Sequence, residues 1–137
     1  MWRRIPRVLT ALLGALLALP FALRWLLAPE SMSAELGISL SGPSAFSQMR
    51  GDVGGAFFAI GALALLGLFR KQPRYLEAVA LIMVCIVAAR LLGIALDGYH
   101  PQIGVAMTVE LATGAATFAT ARQLRACAAT PRIRPAI

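Results

Sequence analysis

The sequence predicts an all-α fold, a four-helix transmembrane bundle whose N and C termini are both cytoplasmic. Of the 137 residues, 59% are hydrophobic and only 14% are charged, which is more apolar than the core of a soluble domain of this size requires. The apolar residues form four long runs, and most basic residues lie at alternate ends of those runs. We therefore predict a single membrane domain over residues 1–137.

Each apolar run is near the length that a transmembrane helix requires. A helix rises about 1.5 Å per residue, so about 20 residues cross the hydrocarbon core of a bilayer. A membrane β-barrel would instead alternate apolar and polar residues, whereas segments 62–66 and 78–82 are continuously apolar. We expect four helices followed by a basic cytoplasmic tail over residues 123–137. The predicted helices cover residues 8–27, 45–69, 75–96 and 103–122.

The first run has two interpretations. A basic start followed by apolar residues from Val8 to Leu19 is typical of a signal peptide. However, the run continues past Pro20, and no clean cleavage site of small residues follows it. We therefore predict a retained helix that Pro20 kinks rather than ends. Arg24 and Trp25 are expected to anchor its outer end among the lipid headgroups.

The basic residues predict the orientation of the chain. Ten of the thirteen fall on one side of the membrane if the four helices alternate in direction. This is the positive-inside pattern, and it predicts cytoplasmic termini. Because basic flanks of membrane helices are generic, the net charge of +7 favours membrane lipids as partners and no nucleic acid. The ten residues are Arg3, Arg4, Arg7, Arg70, Lys71, Arg74, Arg122, Arg125, Arg132 and Arg134.

The longest predicted connection runs from Ala28 to about Arg50 and mixes glycine, serine and proline with apolar residues. We expect it to lie on the membrane surface or to cap the bundle. Pro43 suits the first turn of a helix, and a helix beginning there would continue into the second span and carry Arg50. On that helix Gly54 and Gly61 share a face with Arg50, where they would let another helix approach closely.

Arg90 and Glu110 are ionisable residues inside runs apolar enough to cross a bilayer. Charges in hydrocarbon are costly, so such residues face the bundle interior and pair. At a rise of roughly 1.5 Å per residue, Arg90 lies about 9 Å and Glu110 about 12 Å along its helix from the turn between the third and fourth helices. We therefore predict that they contact each other. Arg50, Asp52 and Asp97 are expected to complete a polar cluster with them.

This predicted polar cluster has two interpretations. A buried ion pair can fix helix register without binding anything, although desolvation offsets most of its attraction. Alternatively, the cluster is a site for a ligand, a proton or a protein partner. A polar and small stripe on the fourth helix continues from Glu110 through Thr113, Gly114 and Thr117, which fits either interpretation.

The sequence predicts no metal, no cofactor and no catalytic residue. Cys85 falls in the third span and Cys127 in the predicted tail, and the only histidine is His100. These positions do not have the spacing of a zinc or haem site. Glu110 or Asp52 is an acid or base that an intramembrane enzyme would need, but a nucleophile, a metal set and a cofactor motif are lacking.

At these residues the chain resembles the small bacterial membrane proteins grouped as domain of unknown function 4345. The resemblance covers most of residues 8–122, and the family implies an integral protein of the bacterial inner membrane with four helices, distantly similar in shape to DoxX-like proteins. It implies no activity. Its motifs are Arg50 with Gly54-Gly55, Arg90 with Asp97-Gly98, and Glu110.

Three classes of function remain open. The first is a non-enzymatic accessory or interaction protein that packs against another membrane protein or against itself. The second is a binder or carrier of a small amphipathic molecule, such as a lipid or a quinone, whose polar end meets Arg50 and Arg90. The third is an intramembrane enzyme, which ranks last because the sequence lacks the parts of an active site.

Overall fold

The computed structural model describes residues 5–129 of the chain, and over these residues it contains helices and no strands. Four of the helices are long and apolar enough to cross a membrane. The predicted all-α, four-helix architecture is therefore confirmed. In chain order the helices are α1 (Ile5–Leu27), α2 (Pro29–Glu35), α3 (Gly42–Phe69), α4 (Pro73–Asp97) and α5 (Pro101–Ala129).

The four long helices form an antiparallel bundle in which each packs against two others. Helix α3 lies between α1 and α4, and α5 lies between α4 and α1. The end of the bundle that carries Ile5, Ala129 and the turn at residues 70–72 is here named the terminal end. The opposite end, with residues 28–41 and 98–100, is named the loop end.

The ends of the long helices follow from local sequence signals. Pro43, Pro73 and Pro101 lie at or next to the first position of their helices, where the missing N–H costs nothing. Helix α5 continues to Ala129, into the segment predicted as a tail, because the loss of hydropathy marks the end of an apolar run and not the end of a helix. Residues 130–137 of that predicted tail lie outside the described residues.

The lateral surface of the bundle carries many large apolar side chains. Exposing such a surface to water costs free energy, whereas contact with the hydrocarbon of a membrane does not. The buried core is small by comparison and is centred on Leu17, Ile60, Ala64, Val79 and Met83. The exposed apolar side chains include Leu12, Leu16, Leu81, Val84, Leu91, Leu92, Val105, Leu111 and Phe118.

Helix α1 contains a π-helical segment, Leu17–Phe21, that includes Pro20. Proline has no N–H to donate and its ring crowds the preceding turn, and a π-helical turn accommodates both effects. As predicted, the helix does not end there. The part of α1 before this segment packs against both α3 and α5, whereas the part after it packs against α3. A cavity opens between α1 and α5 towards the loop end.

A second π-helical segment, Met49–Gly55, lies in α3 against the last turns of α1. A Cβ atom on Gly54 would lie 3.0 Å from Cδ2 of Leu26 and 3.2 Å from Cβ of Trp25, so glycine lets the two helices approach closely, as predicted. Trp25 is 1% exposed. The expectation that Trp25 lies among lipid headgroups is therefore wrong, since the close approach of α3 covers this side chain.

Candidate functional site

Arg90 on α4 and Glu110 on α5 form an ion pair, and the predicted contact between them is present. Nε of Arg90 donates to Oε1 of Glu110 at 2.8 Å and to Oε2 at 2.9 Å, and Nη2 lies 2.8 Å from Oε1. The chain turns between α4 and α5 over residues 98–100, so Arg90 and Glu110 lie at similar distances from the turn and come into contact. Gly114 keeps the helices close, because a Cβ there would lie 3.2 Å from Cβ of Met83.

The two partners differ in burial. The side chain of Glu110 is 6% exposed, whereas that of Arg90 is 34% exposed. Arg90 uses Nε and Nη2 on the carboxylate, and Nη1 makes no hydrogen bond within the described residues. A guanidinium carries five N–H donors, so Arg90 retains free donors on its exposed side.

Arg90 and Glu110 lie at the wall of a cavity of about 570 Å³ between the α1–α3 and α4–α5 hairpins, here named the inter-hairpin cavity. It is wide enough for a small ligand, since typical pockets are about 300–1,000 Å³. Gln102 and Thr113 contribute the uncharged polar part of its lining. The apolar part, which predominates, includes Leu17, Pro20, Phe21, Phe57, Val105, Ala106 and Val109.

A second ion pair, which the sequence did not predict, lines the same cavity. The guanidinium of Arg24 near the end of α1 donates to the carboxylate of Glu35 at the end of α2, and both residues line the cavity. The sequence did contain a signal for this contact, because Arg24 and Glu35 carry opposite charges and lie only eleven residues apart. The fold of α2 decides whether they meet, and hydropathy patterns carry no information about so short a helix.

The polar stripe on α5 is buried and hydrogen-bonded. The hydroxyl of Thr113 donates to the carbonyl of Val109 at 2.8 Å, and that of Thr117 donates to the carbonyl of Thr113 at 2.7 Å. Thr113 and Thr117 are almost fully buried. These two hydroxyls are therefore hydrogen-bonded within their own helix.

The stripe continues into a contact between α5 and α1. Thr10 donates to the carbonyl of Pro6 at 2.8 Å, and its oxygen lies 3.1 Å from the hydroxyl oxygen of Thr120. Because Thr10 has used its one proton, Thr120 is the donor between the two hydroxyls. The sequence did not predict this contact, although Thr10 is the one hydroxyl residue in the first apolar run.

The other candidate residues lie apart from the Arg90–Glu110 pair. Nε of Arg50 donates to the carbonyl of Leu26 at 3.0 Å, so α3 presents this guanidinium to the end of α1. Asp52 and Asp97 are exposed. Within residues 5–129, no hydrogen bond or ion pair joins Arg50, Asp52 or Asp97 to Arg90 or Glu110.

The arrangement suits binding more than bond-making. Its walls are apolar, and its charged side chains are paired as Arg90 with Glu110 and Arg24 with Glu35. Arg90 offers N–H donors to a ligand oxygen. The site can therefore hold a molecule with an apolar body and a hydrogen-bond-accepting end.

Comparison with known proteins points to one family. No match to the chain is found among curated proteins or among solved structures. The model of the family described as Domain of unknown function (DUF4345) matches residues 5–121, a range that includes all of α1, α3 and α4, most of α5 and the Arg90–Glu110 pair. The four-helix bundle and its buried ion pair thus belong to a chain that is a member of the DUF4345 family.

Proposed function

We propose that this protein is a multi-pass protein of the bacterial inner membrane and that it binds a small amphipathic molecule, such as a lipid or a quinone, in the inter-hairpin cavity. The membrane location is supported by the four long apolar helices. The basic residues at the terminal end of the bundle support cytoplasmic termini. The loop end then faces the periplasm.

The observation that carries the binding role is a partly exposed guanidinium at the wall of an apolar cavity. A pair that only fixed the register of two helices would have its N–H donors satisfied by protein groups. Instead, Arg90 is 34% exposed and lines a cavity of about 570 Å³. A ligand oxygen that accepts from Arg90 would satisfy these donors without unpairing Glu110.

The charges around the cavity favour an uncharged polar end on the ligand. Arg24 and Arg90 are each neutralised by a carboxylate, Glu35 and Glu110, so a charged ligand would gain no complementary partner and would lose its hydration. A carbonyl, ester or hydroxyl group fits the site better. The apolar body would lie along Leu17 and the other apolar lining residues.

A second candidate is an accessory protein in which the same ion pair only fixes the register of α4 and α5. The direct pairing of Arg90 with Glu110 favours it, because the pair leaves no buried charge unsatisfied. In that case another membrane protein, or a second copy of the chain, would be the functional partner, and the cavity would hold bulk lipid.

A variant that fills the cavity without changing its charged residues distinguishes the two candidates. Ala106 lines the inter-hairpin cavity, whereas Ala115 lies on the same helix and outside it. Native mass spectrometry of gently purified protein should show a retained small molecule that Ala106→Phe loses and Ala115→Phe keeps.

A second experiment adds a short-tailed benzoquinone or a monoacylglycerol as a probe and measures thermal unfolding. A probe at a concentration 100 times its Kd stabilises the fold by about 2.7 kcal/mol.

The expected result is stabilisation of the wild type and of Ala115→Phe by at least one probe, with loss of that stabilisation in Ala106→Phe. Arg90→Leu combined with Glu110→Leu should also lose it, because the hydrogen-bond donors are gone. Equal probe binding by Ala106→Phe and the wild type would refute the cavity as the binding site. A wild type that retains and binds nothing would leave the accessory role as the better account.

A further inference from the structure

A second cavity lies at the loop end and is separate from the inter-hairpin cavity. It has a volume of about 650 Å³ and is here named the loop-end cleft. It is formed where the end of α1, the start of α2 and the start of α3 meet. Two charged side chains and several apolar ones line it: Arg50 and Glu30, with Leu27, Pro29, Pro43 and Phe46.

One hydrogen bond joins Arg50 to the end of α1 in this cleft. Its Nε donates to the carbonyl of Leu26 at 3.0 Å, and that carbonyl belongs to the last turn of α1, where backbone acceptors lack a partner within the helix. The contact uses one of the five N–H donors of the guanidinium. Among the described residues, the arginines that pair with a carboxylate are Arg24, Arg90 and Arg125, and Arg50 is not one of them.

Glu30 supplies the opposite charge in the same cleft. It lies in the first turn of α2 and is exposed. Its carboxylate makes no hydrogen bond or ion pair with the residues that the structure describes, Arg50 included. The loop-end cleft therefore presents a cation and an anion that are not joined to each other, in a lining that also contains apolar side chains.

We propose that the loop-end cleft binds the headgroup of a zwitterionic aminophospholipid, with its phosphate on Arg50 and its ammonium on Glu30. A guanidinium matches the oxygens of a phosphate, and a carboxylate accepts from an ammonium. The apolar wall, which includes Leu27 and Phe46, would contact the glycerol and the first methylenes. This inference rests on the proposed membrane location and is independent of the ligand in the inter-hairpin cavity.

Other headgroups fit the cleft less well. An anionic headgroup without an ammonium would be attracted by Arg50 and repelled by Glu30. A choline headgroup carries a positive charge but has no N–H to donate, so it would lose the hydrogen bond to Glu30. The end of α1 and the start of α3 place the cleft where the long helices terminate, which is the headgroup level of a bilayer.

The test is a lipid titration of delipidated protein by native mass spectrometry with phosphatidylethanolamine, phosphatidylglycerol and phosphatidylcholine. The wild type should prefer phosphatidylethanolamine by about tenfold, the value of one charge-assisted hydrogen bond. Glu30→Gln should abolish that preference, and Arg50→Gln should weaken all three lipids. Asp52→Asn is the matched control, since Asp52 is exposed and does not line the cleft, and it should retain the preference.

Three results would overturn the proposal. The wild type could show no preference among the three lipids, or Arg50→Gln could bind phosphatidylethanolamine as the wild type does. Free phosphoethanolamine could compete as well as the lipid, which would assign the cleft to a soluble phosphate ester. A wild-type circular dichroism spectrum and thermal unfolding midpoint show that Arg50→Gln is folded. Because this control uses no probe of the inter-hairpin cavity, a failure of this site and a failure of the inter-hairpin site remain distinguishable.

Discussion

At the scale of single residues, burial decides what each ion pair contributes. Glu110 is 6% exposed, so its carboxylate would lie unpaired among apolar groups if Arg90 were removed. In the Arg125–Glu77 pair at the terminal end, the arginine side chain is 61% exposed and the glutamate 31%. Pairs of this second kind contribute at most about 1 kcal/mol. Two arginine–glutamate pairs therefore differ in energy in this chain because they differ in burial.

This contrast gives a prediction about stability. Glu110→Leu should lower the free energy of unfolding in detergent by about 1–3 kcal/mol, because it leaves the partly exposed guanidinium of Arg90 at an apolar cavity wall without its carboxylate partner. Adding Arg90→Leu should recover most of the loss. Thermal unfolding followed by circular dichroism measures both changes. Glu77→Leu is the control and should cost less than about 1 kcal/mol.

The double variant also tests the role of the pair. A double variant that remains as unstable as Glu110→Leu would show that the pair contributes more than the removal of an unpaired charge. Full recovery of stability together with full recovery of any cellular phenotype would argue for a purely structural pair and against the binding site.

At the scale of elements, the packing of α1 on α3 depends on glycine. Gly54 lies where the last turns of α1 cross the π-helical segment of α3, and there a Cβ would press on Leu26 and Trp25. Gly51, one turn earlier on the same helix, has no atom within 4 Å of the position that a Cβ would take. The two glycines therefore differ in how closely α1 approaches them.

This difference predicts opposite effects of substitution. Gly54→Leu should destabilise the bundle by about 1–3 kcal/mol, since the larger side chain forces α1 away from α3. Gly51→Ala should be neutral or stabilise by up to about 1 kcal/mol, because alanine favours a helix and meets no neighbour. Thermal unfolding of the purified variants checks both signs. Equal effects at the two positions would contradict the close approach at Gly54.

At the scale of the whole molecule, the bundle divides into a tight half and an open half. Near the terminal end, α1 contacts both of its neighbours, and Thr10 reaches Thr120 across the interface with α5. Beyond the segment around Pro20, α1 stays on α3 and the inter-hairpin cavity opens towards the loop end. The proposed orientation places that opening on the periplasmic side of the membrane.

The orientation itself can be tested with cysteine labelling. Cys127 is exposed near the terminal end, and Ser39 lies exposed in the connection at the loop end. In a Cys85→Ser background, an impermeant maleimide should label Cys127 only after the membrane is permeabilised. Ser39→Cys in a chain lacking both natural cysteines should be labelled in intact spheroplasts. The reverse pattern would place the termini outside and invert the proposed topology.

Much of the site could be predicted because it depends on depth along helices. Arg90 and Glu110 were expected to meet because they lie at similar distances from one short turn, and in an antiparallel hairpin similar depth means proximity. The Arg24–Glu35 pair could not be predicted in this way, since it depends on how α2 folds back over the bundle. Arg50 likewise reaches the end of α1, which its position on α3 does not reveal.

Sequence alone was enough to predict the number of long helices, their apolar surfaces and the contact between Arg90 and Glu110. These features follow from local composition and from the regular rise of a helix, so they need no knowledge of distant contacts. Three features depend on tertiary packing: the burial of Trp25, the separation of Arg50 from Arg90, and the cavity beside the ion pair. Each depends on which neighbours the turns of α1 pack against, and those neighbours change at the π-helical segment around Pro20.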